Sequence, residues 1–342
     1  MRITTAGVVV QNQTITEDLE ILAPNVVVRD CAITGSLSIQ NADNPTLERV
    51  RIDGPRENVN GWTLGKSKGG TFTDVTFTGL GKGVVGDFIV CYRNVDGMKE
   101  TRVSRTVVVE TNADTTIRPV WHFDDRNRTN TDCVTTIALR RVYDMPWRWR
   151  SDVGVKIGCF NNVFTREKVI VTGVGPCRLL PSASATCEGT TGDPIWLAGC
   201  CGQWNATMDS CLLDASGVTG GANIEWQGGM RGWTLKNTTL KVPAGNRAID
   251  AFDIHKSRIE GCTIVGAVVF ADRYSRPLWT AGDMVYCNNV SAAPSITGGL
   301  IGVSGAMVTT CPPAPIPPPA AEIPTITVVV PSLPVKLLLV KP

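Results

Sequence analysis

A short phrase that recurs along the chain constrains its fold more than any other feature. Residues 25–35, NVVVRDCAITG, alternate apolar and polar side chains and then stop at Gly35. Apolar side chains at every second position face one side of a β-strand, and glycine permits the sharp bend that follows. This stretch therefore predicts a short strand that ends in a bend.

The phrase returns at a nearly regular interval. It reads RDCAITG, ERVRIDG, TDVTFTG, EKVIVTG and EGCTIVG, ending at Gly35, Gly54, Gly79, Gly173 and Gly266. One slot of the phrase is filled first by Cys31, Val50 and Val75, 19 and 25 residues apart, and again by Cys211, Thr238 and Cys262, 27 and 24 residues apart. A period of this size with strand-type alternation predicts one coil of a β-solenoid, with the slot residues stacked inside it.

This phrasing resembles that of the right-handed parallel β-helix superfamily, the pectate-lyase-like fold shared by polysaccharide-cleaving enzymes and bacteriophage tailspikes. The resemblance covers roughly residues 20–310 and implies an all-β, right-handed parallel β-helix. About twelve rungs fit, giving a rod on the order of 60 Å long. We predict a cap or attachment segment over residues 1–19, the β-helix over 20–311 and an extended Pro-rich arm over 312–342.

Composition narrows the functional classes. An apolar content of 43% is enough for a core, and a net charge of +2 gives no basic footprint for nucleic acid. No apolar stretch reaches membrane-spanning length, and the first residues lack the apolar run of a signal peptide. We therefore expect no nucleic-acid partner and no membrane insertion, in a protein that is cytosolic or leaves the cell by lysis.

The twelve cysteines do not form a recognisable metal motif. No CxxC pair or histidine-flanked set is present, so we predict neither a metal nor a cofactor. Cys31, Cys211 and Cys262 occupy the slot of the repeat and are expected to be small buried apolar residues. Cys177 and Cys187 flank a loop that a disulfide could close.

Two segments, 111–160 and 177–206, interrupt the repeat. The first holds three Trp and seven Arg, and the second holds Trp196 and Trp204. We interpret them as insertions that lie along the flank of the rod, where solenoids place binding surfaces. Their Trp and Arg side chains suit contact with a host glycan or protein, or with another subunit. The alternative is that they only cover the side of the rod. The predicted surface comprises Trp121, Trp147, Arg148, Trp149, Trp196 and Trp204.

The candidate catalytic residues are aspartates close in sequence to a histidine. Asp124 and Asp125 lie near His122, and Asp253 lies near His255. The string NTD at 130–132 resembles one element of the polygalacturonase sequence pattern. In that family the aspartate pair follows this element, and a His-Gly dipeptide comes later. Here the pair precedes it, and neither histidine is followed by glycine. We therefore predict no catalytic residues and keep Asp124, Asp125 and Asp253 as the weaker alternative.

The composition changes sharply after Cys311. Prolines dominate residues 312–324 and predict an extended polyproline segment. Two apolar runs follow, and a lone rod has no evident groove to bury them. We interpret 312–342 as an assembly arm that binds another chain. Its apolar contact residues are Val328, Val329, Val330, Leu337, Leu338 and Leu339.

Together these features favour a virion structural protein of a bacteriophage tail. A tail fibre, tailspike or minor tail protein would form a homotrimer, contact tail or baseplate proteins through the arm and face a host cell-surface glycan or protein. The resemblance also implies an enzymatic alternative, an extracellular polysaccharide lyase or glycoside hydrolase. A passive cell-surface solenoid is a third reading, without an export signal to support it.

Overall fold

A computed structural model of the chain describes residues 1–35, 37–53, 62–65, 68–78, 102–115, 121–123, 127–142, 155–157, 161–174, 194–198, 203–219, 223–227, 230–252, 256–271, 284–297, 307–308 and 311. Every regular element in these ranges is a β-strand, and every strand pairing is parallel. The chain is a parallel β-helix, as its repeat predicts. No helix long and apolar enough to cross a membrane occurs within these ranges.

The longest ladder of paired strands runs through twelve successive segments. Each segment is short because only about three residues span one face before the chain turns, and each pairs with the segment of the next coil. This first ladder comprises β2 (Val9–Gln11), the first half of β5 (Val27–Ile33), the first half of β7 (Thr46–Asp53), β9 (Thr71–Thr73), β11 (Arg102–Ser104), β14 (Thr129–Thr131), β17 (Val163–Thr165), β21 (Thr207–Asp209), β25 (Thr234–Lys236), β28 (Ser257–Glu260), β31 (Met284–Cys287) and β33 (Met307–Val308).

A second ladder follows the first after a sharp corner in each coil. It comprises β3 (Thr14–Ile15), the second halves of β5 and β7, β10 (Thr76–Thr78), β12 (Val107–Thr115), β15 (Val134–Val142), β18 (Lys168–Val174), β22 (Leu212–Thr219), β26 (Thr239–Lys241) and β29 (Thr263–Val265).

A third set of strands closes the coils. One sheet contains β1 (Arg2–Ile3), β4 (Leu19–Ile21), β6 (Leu37–Gln40) and β8 (Trp62–Gly65). Another contains β13 (Trp121–Phe123), β16 (Val155–Ile157), β19 (Ile195–Ala198), β23 (Ile224–Gln227), β27 (Arg247–Phe252), β30 (Ala267–Ala271) and β32 (Ser295–Thr297). A two-stranded sheet pairs β20 (Gln203–Trp204) with β24 (Met230–Arg231).

The inward side chains form one continuous apolar core. The slot predicted from the repeat is confirmed, because its members are at most 5% exposed in coils far apart along the chain. The polar member, Thr238, is compatible with this position because its hydroxyl donates to the carbonyl of Lys236 and accepts from the amide of Cys211. The predicted slot residues that are buried are Cys31, Val50, Val75, Cys211, Thr238 and Cys262.

The corner between the first and second ladders has one backbone conformation in every coil where the structure describes it. The residue immediately before each slot residue has a φ of +45° to +63°, the left-handed region that only glycine, asparagine and aspartate adopt readily. These corner residues are Asn12, Asp30, Arg49, Asp74, Arg105, Asp132, Arg166, Ser210, Asn237, Gly261 and Asn288. The three arginines need a compensating interaction, and their side chains provide it.

A second corner precedes the first ladder and is built largely from asparagine. Asn44 donates from Nδ2 to Oδ1 of Asn25 at 3.2 Å, and Asn205 donates to Asn161 in the same way at 3.2 Å. Glycine follows such a stack in the next coil: a Cβ at Gly69 would overlap Oδ1 of Asn44, and one at Gly232 would overlap Oδ1 of Asn205. The amide stack therefore requires glycine at these two corners.

Two predicted segments continue the coils of the β-helix. Residues 1–19 are predicted as a cap or attachment segment, and their strands β2 and β3 pair with β5 as the first coil. The prediction that 111–160 is an insertion is wrong for its described residues. There β14, β15 and β16 continue all three ladders in register. These coils lack the glycine that ends the phrase elsewhere, because β12 and β15 are nine residues long and bend later.

The segment 177–206 is described only near its end, where β19 and β20 join the sheets. By compactness the chain divides into Met1–Cys311 and Pro312–Pro342. The second unit, and with it the predicted arm, lies outside the described residues. A disulfide joins Cys287 and Cys311 at the end of the first unit.

Candidate functional site

Exposed acids and bases alternate along the first corner. Arg49 binds Asp30 of the preceding coil through Nε and Nη2, at 2.6 and 3.0 Å. Arg105 binds Asp74 at 2.7 Å through both nitrogens, and Arg166 binds Asp132 at 2.5 and 2.8 Å. Each two-pronged pair bridges two coils and holds an arginine in its unfavourable backbone conformation.

The same pairs determine the protonation of these acids. The hydrogen bond from Arg49 lowers the pKa of Asp30, and those from Arg105 and Arg166 lower the pKa values of Asp74 and Asp132. A carboxylate that remains ionised well into acid and is held by two arginine nitrogens is a poor proton donor. These side chains therefore connect coils rather than carry acid–base chemistry.

A buried polar layer lies in the coils of β14 and β17. Arg128 donates from Nε to Oδ1 of Asn130 at 2.6 Å, and Asn130 donates from Nδ2 to Oε2 of Glu167 at 3.2 Å. The amide of Arg128 donates to Oδ1 of Asn162 in the next coil at 2.9 Å. Glu167 is 1% exposed and occupies the slot that cysteine or valine fills in other coils. Its second oxygen, Oε1, has no hydrogen-bond partner in the described part of the chain.

Burial controls the titration of this layer. Loss of hydration raises the pKa of Glu167 to about 7, and the charge of Arg128 and the hydrogen bond from Asn130 oppose that rise only in part. Burial likewise raises the pKa of the Cys133 thiol, in the preceding coil, to about 12. Glu167 could exchange a proton near neutrality, but its enclosure within the core keeps substrate away. The layer is suited to controlling stability rather than to catalysis.

The predicted surface residues fall partly in strands. Trp121, Trp196 and Trp204 belong to β13, β19 and β20, whose backbones are part of the rod, while their side chains lie outside the described residues. The remaining members, Trp147, Arg148 and Trp149, lie outside the described residues altogether. The predicted contact surface therefore stays a prediction.

The alternative catalytic acids Asp124, Asp125 and Asp253 also lie outside the described residues. The strands that precede them are described: Phe123 of β13 and Ala251 of β27 share one register, four strand spacings or roughly 19 Å apart through β16, β19 and β23. Asp250, beside Ala251, is 5% exposed and accepts a hydrogen bond from Arg247 at 3.0 Å.

Metal-ligand chemistry is concentrated at one place in the described part of the chain. A carboxylate oxygen of Glu260 and the sulfurs of Cys287 and Cys311 lie within 4.8 Å of one another. Sequence reasoning missed this group because its members come from three coils and have no motif spacing. Sequence reasoning also missed Glu167, because the repeated phrase EKVIVTG suggests that Val169 occupies the slot.

Comparison with known proteins gives no family. No protein-family model matches the sequence, and no curated protein matches it. Among solved structures, the chain is similar to the complex of alginate lyase AlyF-OU02 with G6, with a TM-score of 0.37 and 10% identity over 83% of this chain and 74% of that one. It is also similar to a PL6 alginate lyase in complex with a trisaccharide, with a TM-score of 0.19 and 11% identity over 86% of this chain and 56% of that one. At these values the similarity supports no inference about activity.

Proposed function

We propose that this chain is a structural protein of a bacteriophage tail, as a tail fibre, tailspike or minor tail protein involved in host attachment. The observation that carries the proposal is the coil-to-coil linkage of the corners. Arg–Asp pairs and stacked asparagine amides connect several neighbouring coils, which suits a stiff spacer that transmits position and load.

The partners follow from the same proposal. A rod of this kind gains lateral stability as a homotrimer, and its flank presents the Trp and Arg surface, including Trp147 and Trp149, to a host glycan or protein. The arm, residues 312–342, attaches the rod to tail or baseplate proteins. The protein is then located in the virion after assembly in the host cytoplasm.

Deleting residues 312–342 should leave the rod folded and abolish its incorporation into particles. The β-helix ends near Cys311, so the deletion removes no coil, whereas Val328–Val330 and Leu337–Leu339 supply the apolar side chains proposed to bind the partner. The measurement is mass spectrometry of purified tailed particles from the producing strain, together with the melting temperature of the isolated proteins.

A matched variant retains the arm and its prolines but replaces its six apolar contact residues with serine. It should behave like the deletion if apolar contact attaches the arm. Incorporation of the truncated chain at the level of the full chain would contradict the role of the arm. Absence of the full-length chain from all particles would contradict the virion function itself.

A polysaccharide lyase or glycoside hydrolase remains the second candidate, motivated by Asp124, Asp125 and Asp253. Under the structural proposal, incubation with capsular, cell-wall or uronate-containing glycans should release neither reducing ends nor unsaturated products. Turnover that is present in the parent and lost in Asp124→Asn or Asp253→Asn, at unchanged melting temperature, would replace the structural proposal with the enzymatic one.

A further inference from the structure

Three side chains with metal-ligand chemistry meet at the end of the rod. In the pairing of β28 with β31, Glu260 lies directly opposite Cys287. Cys311 follows β33, the last described strand, and reaches back to Cys287. The three candidate donor atoms lie within 4.8 Å of one another. Ladder pairing therefore fixes two of the donors on adjacent coils, and Cys311, after β33, brings the third.

The donor set suits one class of ion. Two thiolates with one carboxylate favour Zn²⁺, which takes sulfur ligands at about 2.3 Å in a tetrahedral site. In such a site the two sulfurs stand about 3.8 Å apart. The Cα atoms of Cys287 and Cys311 are 5.3 Å apart, so rotation of the side chains can open the sulfurs to that distance without moving a strand. Cys287 is 2% exposed, which protects one ligand from exchange with solvent.

The surroundings balance the charge of a bound ion. Arg258 donates from Nε to Oε2 of Glu260 at 2.6 Å, and metal-bound carboxylates commonly have such an outer hydrogen-bond partner. Two thiolates, one carboxylate, one guanidinium and Zn²⁺ sum to zero net charge. A neutral cluster avoids leaving an unpaired charge at this partly buried position.

We propose that, when the disulfide is reduced, Glu260, Cys287 and Cys311 form a zinc site that fastens the last coil immediately before the arm. A dithiol reductant transfers two electrons to the disulfide, becomes a cyclic disulfide itself and leaves two cysteine thiols. Zn²⁺ then binds both sulfurs and releases their two protons to solvent, and Glu260 supplies the third ligand. The same residues thus close the end of the rod in a reducing compartment with zinc and in an oxidising one with a disulfide.

The test uses the full-length protein, reduced with dithiothreitol, freed of reductant without oxygen, and titrated with Zn²⁺ against a chromogenic chelator. Because the chain has twelve cysteines, the informative quantity is a difference between variants. The reduced parent should retain one more equivalent of zinc than Cys311→Ser. Cys262→Ala is the matched control, since Cys262 is fully buried in the core, and it should retain as much zinc as the parent.

Glu260→Gln keeps both thiolates and removes the charged ligand, so it should weaken binding at this site at least about tenfold. The oxidised parent should lack the additional equivalent. Equal zinc retention by the reduced parent and Cys311→Ser would overturn the proposal, and so would full retention by the oxidised parent. An affinity unchanged in Glu260→Gln would overturn the three-ligand site.

Discussion

Replacing Val75 with aspartate should lower the free energy of unfolding by roughly 3–5 kcal/mol. Val75 is 0% exposed and stacks in the slot directly after Val50 of the preceding coil. An aspartate there would place an unpaired charge in the apolar core, where no described side chain is positioned to neutralise it. Urea unfolding followed by circular dichroism measures the change.

Val265→Asp is the matched control. It makes the same substitution on the outward face of β29, where the side chain is 50% exposed, and should change the unfolding free energy by less than about 1 kcal/mol. If Val75→Asp and Val265→Asp had equal effects, the assignment of the slot to the interior would be wrong.

Glu167→Gln should stabilise the protein by on the order of 3 kcal/mol at pH 8. Folding raises the pKa of this carboxyl from 4.5 to about 7 because burial removes its hydration. One pKa unit corresponds to about 1.4 kcal/mol, so ionising Glu167 in the folded state opposes folding by that total. Glutamine keeps the shape and can still accept from Asn130, without the buried charge.

The sign of the pH dependence follows from proton binding. Between pH 4.5 and about 7 the folded chain binds more protons at Glu167 than the unfolded chain does, so this group makes stability fall as pH rises and adds no further change above that range. The lowered pKa values of Asp30, Asp74 and Asp132 act in the opposite direction, and their stabilisation is lost only below about pH 3.8. The two windows are therefore separable.

Unfolding free energies measured from pH 5 to pH 8 should decline in the parent and decline much less in Glu167→Gln. Glu20→Gln serves as the control because its side chain is 45% exposed and pairs with Arg2 at the surface, at 3.0 Å. Parallel profiles for the parent and Glu167→Gln would show that the buried carboxyl does not control the pH dependence.

The repeated phrase predicted the core well where glycine ends it. Counting four residues back from Gly35, Gly54 and Gly79 reaches Cys31, Val50 and Val75, all of which are buried. The same count from Gly173 reaches Val169, whereas the structure places Glu167 in the slot, after the corner at Arg166. The strand β18 is two residues longer before its bend. A shift of two residues along a strand leaves the same alternate side chains facing inward, so the repeated phrase could not reveal that Glu167 occupies the slot.

The corners leave a recognisable pattern in the sequence. Four Asn-x-Thr triplets, at Asn12, Asn127, Asn205 and Asn237, have their asparagine in the left-handed conformation and their threonine at the first position of the next strand. The triplet follows from a corner that favours asparagine and an outward strand position that favours threonine. Which coils these corners connect depends on pairing between distant residues, and a single sequence does not contain that information.

The alternating corner also restricts how a chain of this kind can change length. Each coil touches only its neighbours, so a solenoid can gain or lose whole coils without disturbing the rest. Along this edge, however, aspartate and arginine alternate over six consecutive coils from Asp30 to Arg166. Removing the single coil that carries Asp74 would bring Arg49 beside Arg105, whereas removing that coil together with the one carrying Arg105 would restore the order. We therefore expect the loss of two adjacent coils to preserve these ion pairs and the loss of one coil to place like charges side by side along this edge.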